Sequence, residues 1–498
     1  MNANARNYFL ALLTGLCLVV IYPGWNWYWL APFTLAPLIF ALSSERRVKH
    51  RFLLGYSVGF VHSLGVYYWF APVLAVHGDM GEWGGFGTLL VYCFIRAIHY
   101  GLFSLLAAVL LPSRAAVLLL PALWTGMEWS QQPTTDFAWL LLGNPGIDMG
   151  MFPLRLAPWV GVYGLSFLFA MVGVAVALTI LRRPINALAP LLAAVLLLFL
   201  PAIPQPSAPT ESAVTVQPNI DPETTKWTWE SVQALEQRLA GLSLESALKP
   251  GESKAVMVLW PELPAPVYYE QDAILRDHVT RVAKQSDAPV VLGTVVHDAR
   301  GDPLNSAEFI DREGKTMGRY DKMHLVPFGE YVPSLFSWVN KVSGETGTFA
   351  AGKSFSDFTV NGHRVGVFIC YESALPNHVR EFVAQGDEVL VMLTNDGYFF
   401  RTSAREQHLQ LARMRAVEND RWLLRVTNNG HTVAIDPSGH IAKRIPEFVE
   451  TSARLPFSWI KQTTFYSRHG DWFAWICLGF PLMTCIGRGF TAWSNRGS

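Results

Sequence analysis

The stretch Val365-Gly366-Val367-Phe368-Ile369-Cys370-Tyr371-Glu372 decides the fold of the polar half of this chain. Residues 365–369 are an unbroken apolar run, which reads as a strand buried on both faces. The run ends abruptly on a thiol and a carboxylate. Similar runs recur on either side. Ala255-Val256-Met257-Val258-Leu259-Trp260, Val290 to Val296 and Val389 to Leu393 read as further buried strands, and Ala213 to Gln217 as another strand. Segments of helical periodicity, Glu230 to Leu248, Asp272 to Lys284, Leu375 to Gln385 and Ala404 to Asn419, separate several of them. Ser306 to Ile310 and Lys315 to Tyr320 flank Asp311-Arg312-Glu313-Gly314 and predict a hairpin. Trp422 to Thr427 and Thr432 to Ile435 predict two more strands. Buried strands, helices and a hairpin together argue an α/β sandwich with helices covering its sheets.

In sheets of this class, sites form beyond the carboxyl ends of strands. Glu262 follows one strand in Trp260-Pro261-Glu262. Lys322 lies just past the hairpin in Tyr320-Asp321-Lys322-Met323-His324-Leu325-Val326-Pro327-Phe328-Gly329-Glu330-Tyr331. Of the five cysteines, Cys17, Cys93, Cys477 and Cys485 lie in apolar segments and read as small core residues. Cys370 stands alone in the polar half, with no disulfide partner and no companions for a zinc site. A thiol must lose its proton to act as a nucleophile. Glu262 suits the general base, a task that calls for a carboxylate raised by partial burial. Lys322 suits the stabiliser of thiolate and oxyanion, and the Tyr371 N–H suits a second oxyanion donor. Taken singly, each has a bland reading: a solvated turn carboxylate, a surface lysine, a buried free thiol. The combination is far more specific than any member.

Composition splits the chain. It is 51% hydrophobic and only 16% charged, too apolar for an ordinary soluble enzyme. Residues 1–204 predict a membrane domain of about seven helices, 210–457 an α/β catalytic domain, and 470–491 a C-terminal transmembrane helix. Runs near the roughly 20 apolar residues that a crossing needs occur at 7–22, 26–43, 53–76, 86–111, 115–130, 162–181, 187–203 and 471–490, about eight in all. Glu45-Arg46-Arg47-Val48-Lys49-His50-Arg51 is the most basic connection. Placing it inside puts both termini in the cytoplasm and leaves the outer connections 23–28 and 77–85 without Lys or Arg. The polar domain then lies outside. So does the 131–160 loop, where Asp136, Phe137, Trp139 and Trp159 predict residence at the headgroup level. Pro201, Pro204, Pro206 and Pro209 read as a stiff linker.

Here a resemblance enters. WPE (260–262), YDKMHLVPFGEYVP (320–333) and ICYE (369–372) resemble the Glu, Lys and Cys motifs of the nitrilase, or carbon–nitrogen hydrolase, superfamily. LVPFGEYVP and the placing of the domain between membrane spans look like the apolipoprotein N-acyltransferase family in particular. So do Gln217-Pro218-Asn219-Ile220 followed by Lys226-Trp227, and Leu393-Thr394-Asn395-Asp396-Gly397. The resemblance implies an α-helical transmembrane bundle carrying a four-layer α-β-β-α nitrilase-like domain on the periplasmic side of the bacterial inner (plasma) membrane. It implies that Cys370 takes an acyl chain from a phospholipid, typically the sn-1 chain of phosphatidylethanolamine. The thioester would pass that chain to the α-amino group of the diacylglyceryl-cysteine of an apolipoprotein. It assigns Glu262 as base, Lys322 as oxyanion stabiliser and Cys370 as nucleophile. Glu330 resembles a supporting carboxylate, Tyr371 and Glu372 match the residues after the nucleophile, and Trp227 matches an aromatic near the site entrance. Near the start, Pro23-Gly24-Trp25 departs from the Ala-Pro-Phe-like turn of many relatives.

Two other readings stay open at this level. One is a membrane-tethered amidase hydrolysing a small C–N compound. The other is a transporter with an inactive nitrilase-like module, for which Arg96, His99 and Glu128 are the intramembrane polar candidates. The aromatic segments Phe328 to Trp338 and Tyr398-Phe399-Phe400 suit a lipid-facing lid. Zero net charge gives no electrostatic case for nucleic acid, and no motif implies a metal or a nucleotide cofactor.

Overall fold

The computed structural model describes residues 2–135, 137, 139–204, 207–221, 227–263, 268–327, 329–332 and 349–494. Lys226, Asp136, Pro206, Phe328 and Trp338 therefore lie outside the described residues. The chain forms two compact units: Met1–Val76, Met80–Ile203 and His469–Ser498 in one, His77–Asp79 and Pro204–Arg468 in the other.

The first unit is helical: α1 (Ala3–Val20), α2 (Ala36–Ser44), α3 (Val48–Val66), α4 (Phe70–Val76), α5 (Gly81–Leu110), α6 (Ala116–Thr135), α7 (Met151–Leu154), α8 (Ala157–Ile180), α9 (Leu188–Phe199) and the C-terminal helix Trp472–Ser494. Among the described residues α1, α5 and α8 are long and apolar enough to cross a membrane, and α3 with α4, bent by 56°, makes a fourth if counted as one span. The sequence expectation of about eight runs ahead of this. The 26–43 run opens as a 3-10 helix, Tyr28–Phe33, with Pro32 inside, and α2 starts afresh after it. Helix α6 carries Glu128 and Gln131 with Pro121 and Pro133, and α9 has only 12 residues. Helices α3 and α5 approach closely because Gly55 presents no side chain: a Cβ there would lie 2.1 Å from the Tyr100 carbonyl oxygen. Phe137 and Trp139 are 3% and 2% exposed, stacked on each other at 5.9 Å, with Phe137 5.1 Å from Phe70 and Trp139 5.4 Å from Trp69. They are core aromatics, contrary to the headgroup placement, whereas Trp159 is 38% exposed. Arg96 does not pair with Glu128. It donates to the Tyr92 hydroxyl (3.2 Å) and lies 4.9 Å over the Tyr67 ring, while Glu128 accepts from the Leu142 N–H (2.8 Å).

The second unit contains β1 (Glu211–Gln217), α10 (Trp229–Ala247), β2 (Met257–Leu259), α11 (Ala273–Ser286), β3 (Val290–His297), β4 (Pro303–Ile310), β5 (Thr316–Asp321), β6 (Thr359–Val360), β7 (His363–Ile369), α12 (Pro376–Ala384), β8 (Val389–Thr394), α13 (Ala404–Asn419), β9 (Leu423–Thr427), β10 (Val433–Ile435), β11 (Ile441–Arg444) and β12 (Thr451–Phe457). Two six-stranded sheets form, ordered β12-β1-β2-β3-β4-β5 and β11-β10-β9-β8-β7-β6. Strand periodicity builds the layers. Val214, Val258 and Trp260 pack outward against Leu235, Leu239, Leu275 and Val279 of α10 and α11. Their neighbours Ala213, Met257 and Leu259 turn inward to the core shared with Val365, Val367 and Ile369 of the second sheet. Helices α12 and α13 close the far side through Val379, Phe382, Leu409 and Ala412. Helix, sheet, sheet and helix therefore stack in that order. Strands β1, β2 and β3 run parallel, as do β7, β8 and β9, so their carboxyl ends gather polar residues in one place.

Candidate active site

Glu262, Lys322 and Cys370 each follow a strand, β2, β5 and β7 respectively, within a residue or a few. Glycine at 293, in β3, lets the Glu262 segment cross tightly: a Cβ there would lie 2.6 Å from the Pro261 carbonyl oxygen and 2.7 Å from the Glu262 Cα. Lys322, 1% exposed, is the hub. Its Nζ donates to Glu330 Oε1 at 2.9 Å and to Glu262 Oε1 at 3.3 Å. Asn305 Nδ2, from β4, donates to the same two oxygens at 2.7 and 2.8 Å. The remaining oxygens are taken by backbone N–H groups: Asn395 gives to Glu262 Oε2 (2.9 Å) and Val326 to Glu330 Oε2 (2.8 Å). Burial pulls the Lys322 ammonium toward neutrality, but Glu262 and Glu330 outweigh it, and its pKa stands well above the ordinary lysine value.

Cys370 is 8% exposed, and the Ile369–Leu393 register sets it beside Thr394. Burial and the Glu262 charge push its thiol up, past what Lys322 and the Thr394 hydroxyl pull back. The shift favours a neutral Cys370 thiol, set near the Glu262 carboxyl and the Lys322 ammonium. That state calls for proton removal during attack rather than a standing thiolate. The Cys370 backbone has φ of 53°, the left-handed region that costs an L-residue about 1–2 kcal/mol. It begins the 3-10 turn Cys370–Ala374, which throws the thiol out of the strand direction.

Glu372 is wholly buried. Its Oε1 accepts from the Met323 and His324 N–H groups (2.8 and 3.1 Å) and from the Tyr320 hydroxyl (2.7 Å), and its Oε2 accepts from the Ile369 N–H (2.8 Å). It ties the loop carrying Lys322 to the strand carrying Cys370. Burial opposes its charge, yet His378 and these donors hold its pKa down to about 2. Tyr371, the residue after Cys370, is 4% exposed. Trp227 is 39% exposed, ahead of α10, and among the described residues no bond or ring contact joins it to the cluster.

Asn305 was not legible from sequence. Its one signal is an amide inside a strand, a position that residue type disfavours. Tyr398, read as a lid residue, is 39% exposed and packs edge-on against the His77 ring, 4.8 Å between centroids. Among the described residues one other group, Glu406, His431 and Glu447, brings metal-ligand atoms within 4.8 Å of one another. Each His431 nitrogen already faces a carboxylate (3.0 and 2.7 Å), Arg405 pairs with Glu447, and Arg444 approaches Glu406. That arrangement is an ion-pair cluster, with cations where a metal would need open ligands.

The family model for carbon–nitrogen hydrolase matches residues 213–463, and that for the apolipoprotein N-acyltransferase N-terminal domain matches residues 14–175. An apolipoprotein N-acyltransferase of Geobacter metallireducens is 32% identical, covering 95% of this chain and 93% of its own. One from Chlorobaculum tepidum is 27% identical, covering 95% of each. A solved amidase from Nesterenkonia sp. is 19% identical over 51% of this chain and 92% of its own, with a TM-score of 0.38. With both halves matched and the Geobacter relative aligned nearly end to end, this chain belongs to the apolipoprotein N-acyltransferase family.

Proposed function

We propose that this membrane-bound enzyme moves an acyl chain from a phospholipid to the N-terminal amine of a diacylglyceryl apolipoprotein through a thioester on Cys370. The single observation carrying this reading is the buried Lys322 ammonium held by Glu262 and Glu330 at the strand ends where Cys370 emerges. In the first half-reaction Glu262 takes the thiol proton as Sγ attacks the ester carbonyl. Lys322 and the Tyr371 N–H receive the oxyanion. Collapse breaks the C–O bond, Glu262 returns the proton to the leaving alkoxide, and a lysophospholipid departs. In the second half-reaction the α-amine attacks the thioester and Glu262 accepts its proton. The C–S bond breaks, and the sulfur is reprotonated. Glu330 and Asn305 hold Lys322 in place throughout, Glu372 anchors its loop, and Trp227 stands at the entrance.

The donor in this reading is phosphatidylethanolamine, through its sn-1 chain. Residues 1–204 form the membrane domain, 210–457 the catalytic domain and 470–491 a last crossing, with the shorter apolar helices and α6 bringing the total to about eight. The catalytic domain faces the periplasm from the bacterial inner membrane, and both termini face the cytoplasm. The basic 45–51 connection supports that orientation.

The test is transfer of a labelled acyl chain from phosphatidylethanolamine to a diacylglyceryl-cysteine peptide by the detergent-solubilised chain. Transfer should be lost in Glu262→Gln, Lys322→Met and Cys370→Ala. Hydrolysis of small amides without transfer would replace this reading with that of a hydrolase.

A further inference from the structure

We infer that His408 is a positioning residue, fixing the Cys370–Tyr371 peptide plane so that the Tyr371 N–H is aimed as an oxyanion donor. The inference rests on the acyl-enzyme reading above and adds to it a residue outside the Glu262, Lys322 and Glu330 cluster.

The observations are geometric. His408 lies on α13, wholly buried, with its Nε2 3.1 Å from the Cys370 carbonyl oxygen. A carbonyl only accepts, so Nε2 carries the hydrogen. On the other side of the ring, Arg425 Nη2 reaches Nδ1 at 3.0 Å and Asp396 Oδ1 at 2.7 Å, and Nδ1 lies 3.2 Å from that same Asp396 oxygen. Arg425 donates to both, which leaves Nδ1 as an acceptor and fixes the tautomer. Burial, with Arg425, also keeps the ring neutral, against the pull of Asp396. Asp396 follows β8 and Arg425 lies on β9. Both are wholly buried, so the ring is gripped from two strands. The edge contact with the Phe399 ring, 5.6 Å between centroids, packs it further.

The consequence follows from peptide planarity. In a trans peptide the C=O and the next N–H point in opposite directions across one rigid plane. Holding the Cys370 oxygen toward α13 therefore points the Tyr371 N–H the other way. Cys370 is also the residue in the left-handed region, where the chain leaves β7 for the 3-10 turn, so no strand ladder orients its following peptide. A buried imidazole held on both ring nitrogens is a donor that does not swing.

Oxyanion alignment matters only for reactions that pass through a tetrahedral intermediate. Alkylation of the same sulfur by iodoacetamide does not. The test compares wild type, His408→Leu and His408→Gln as full-length protein in detergent. It measures the rate of Cys370 acylation by phosphatidylethanolamine and the rate of Cys370 carbamidomethylation, both by mass spectrometry of the Cys370 peptide. His408→Leu should acylate about 10- to 100-fold more slowly, with KM for the lipid little changed and alkylation within about threefold of wild type. His408→Gln, which keeps an N–H donor at similar reach, should recover most of the acylation rate. Equal acylation by His408→Leu overturns the inference. So does an equal fall in both rates that His408→Gln does not restore, because that is a general disturbance of the site. If His408→Leu does not fold, His408→Gln decides alone: acylation within about threefold of wild type supports the inference, and a loss greater than tenfold with normal alkylation overturns it. Failure of the wild type itself to acylate would sink the acyl-enzyme reading instead.

Discussion

Replacing Glu372 by glutamine tests whether this carboxylate is a structural anchor. The wild-type group accepts four hydrogen bonds, three of them from backbone N–H groups of Met323, His324 and Ile369. Glutamine can turn its oxygen toward Met323, His324 and Tyr320, but its NH2 then faces the Ile369 N–H, donor against donor. That buried N–H goes unsatisfied at about 1–3 kcal/mol, and the three remaining bonds lose charge assistance at about 1 kcal/mol each or less. A total near 4 kcal/mol is expected, or roughly a 10 °C fall in Tm for a domain of this size. The pH dependence has a definite sign. The folded pKa is depressed from 4.5 to about 2. The group therefore contributes stability, about 3 kcal/mol, above pH ~4.5 and loses it as pH falls toward 2. Glu372→Gln lacks this titration, so its deficit against wild type should shrink between pH 5 and pH 3. Tryptophan-fluorescence melting of the full chain in detergent at pH 7, 5 and 3 measures both. A Tm within about 2 °C of wild type at pH 7, or a gap that does not change with pH, would refute the anchor role.

Three further outcomes follow from the same geometry. Glu330→Ala removes a partner of Lys322 Nζ and the acceptor for the Val326 N–H, so the rate of Cys370 acylation should fall about 10- to 100-fold with Tm changed by only a few degrees. Gly293→Ala places a Cβ against the Pro261 oxygen and Glu262 Cα, so displacement of Glu262 should slow acylation at least tenfold while the protein still folds. Gly55→Val forces α3 away from α5, and should lower the melting temperature of the helical unit by several degrees without altering the rate per folded molecule.

The strands were legible where both faces are buried: β3, β7, β8 and β9 all fall within a residue or two of their apolar runs. Strand β12 was not. Its polar Thr451-Ser452 start and Pro456 argue against a strand, yet it pairs along the edge of the first sheet, where proline is tolerated. The membrane half was legible as apolar runs but not as lengths: the 26–43 run is split into a 3-10 helix with Pro32 inside it and a separate α2, whereas α6 runs on unbroken through Pro121 and Pro133. In the site, Glu262, Lys322 and Cys370 announce themselves by chemistry at strand ends, and Glu330 by the family motif alone. Asn305 and His408 do not. Their roles depend on which carboxylate or carbonyl a distant strand brings within 3.1 Å, and spacing along the chain carries no trace of that. Trp227 is the reverse case: its motif suggested a role, and at 39% exposed it makes no bond or ring contact with the cluster among the described residues.

The central claim is the acyl-enzyme, and intact-mass measurement tests it most directly. Purified full-length protein with phosphatidylethanolamine and no acceptor should gain the mass of one acyl chain. The gain should be absent in Cys370→Ala, be reversed by hydroxylamine, and discharge onto an added diacylglyceryl-cysteine peptide. No mass gain in folded protein, or a gain that persists in Cys370→Ala, would contradict the account.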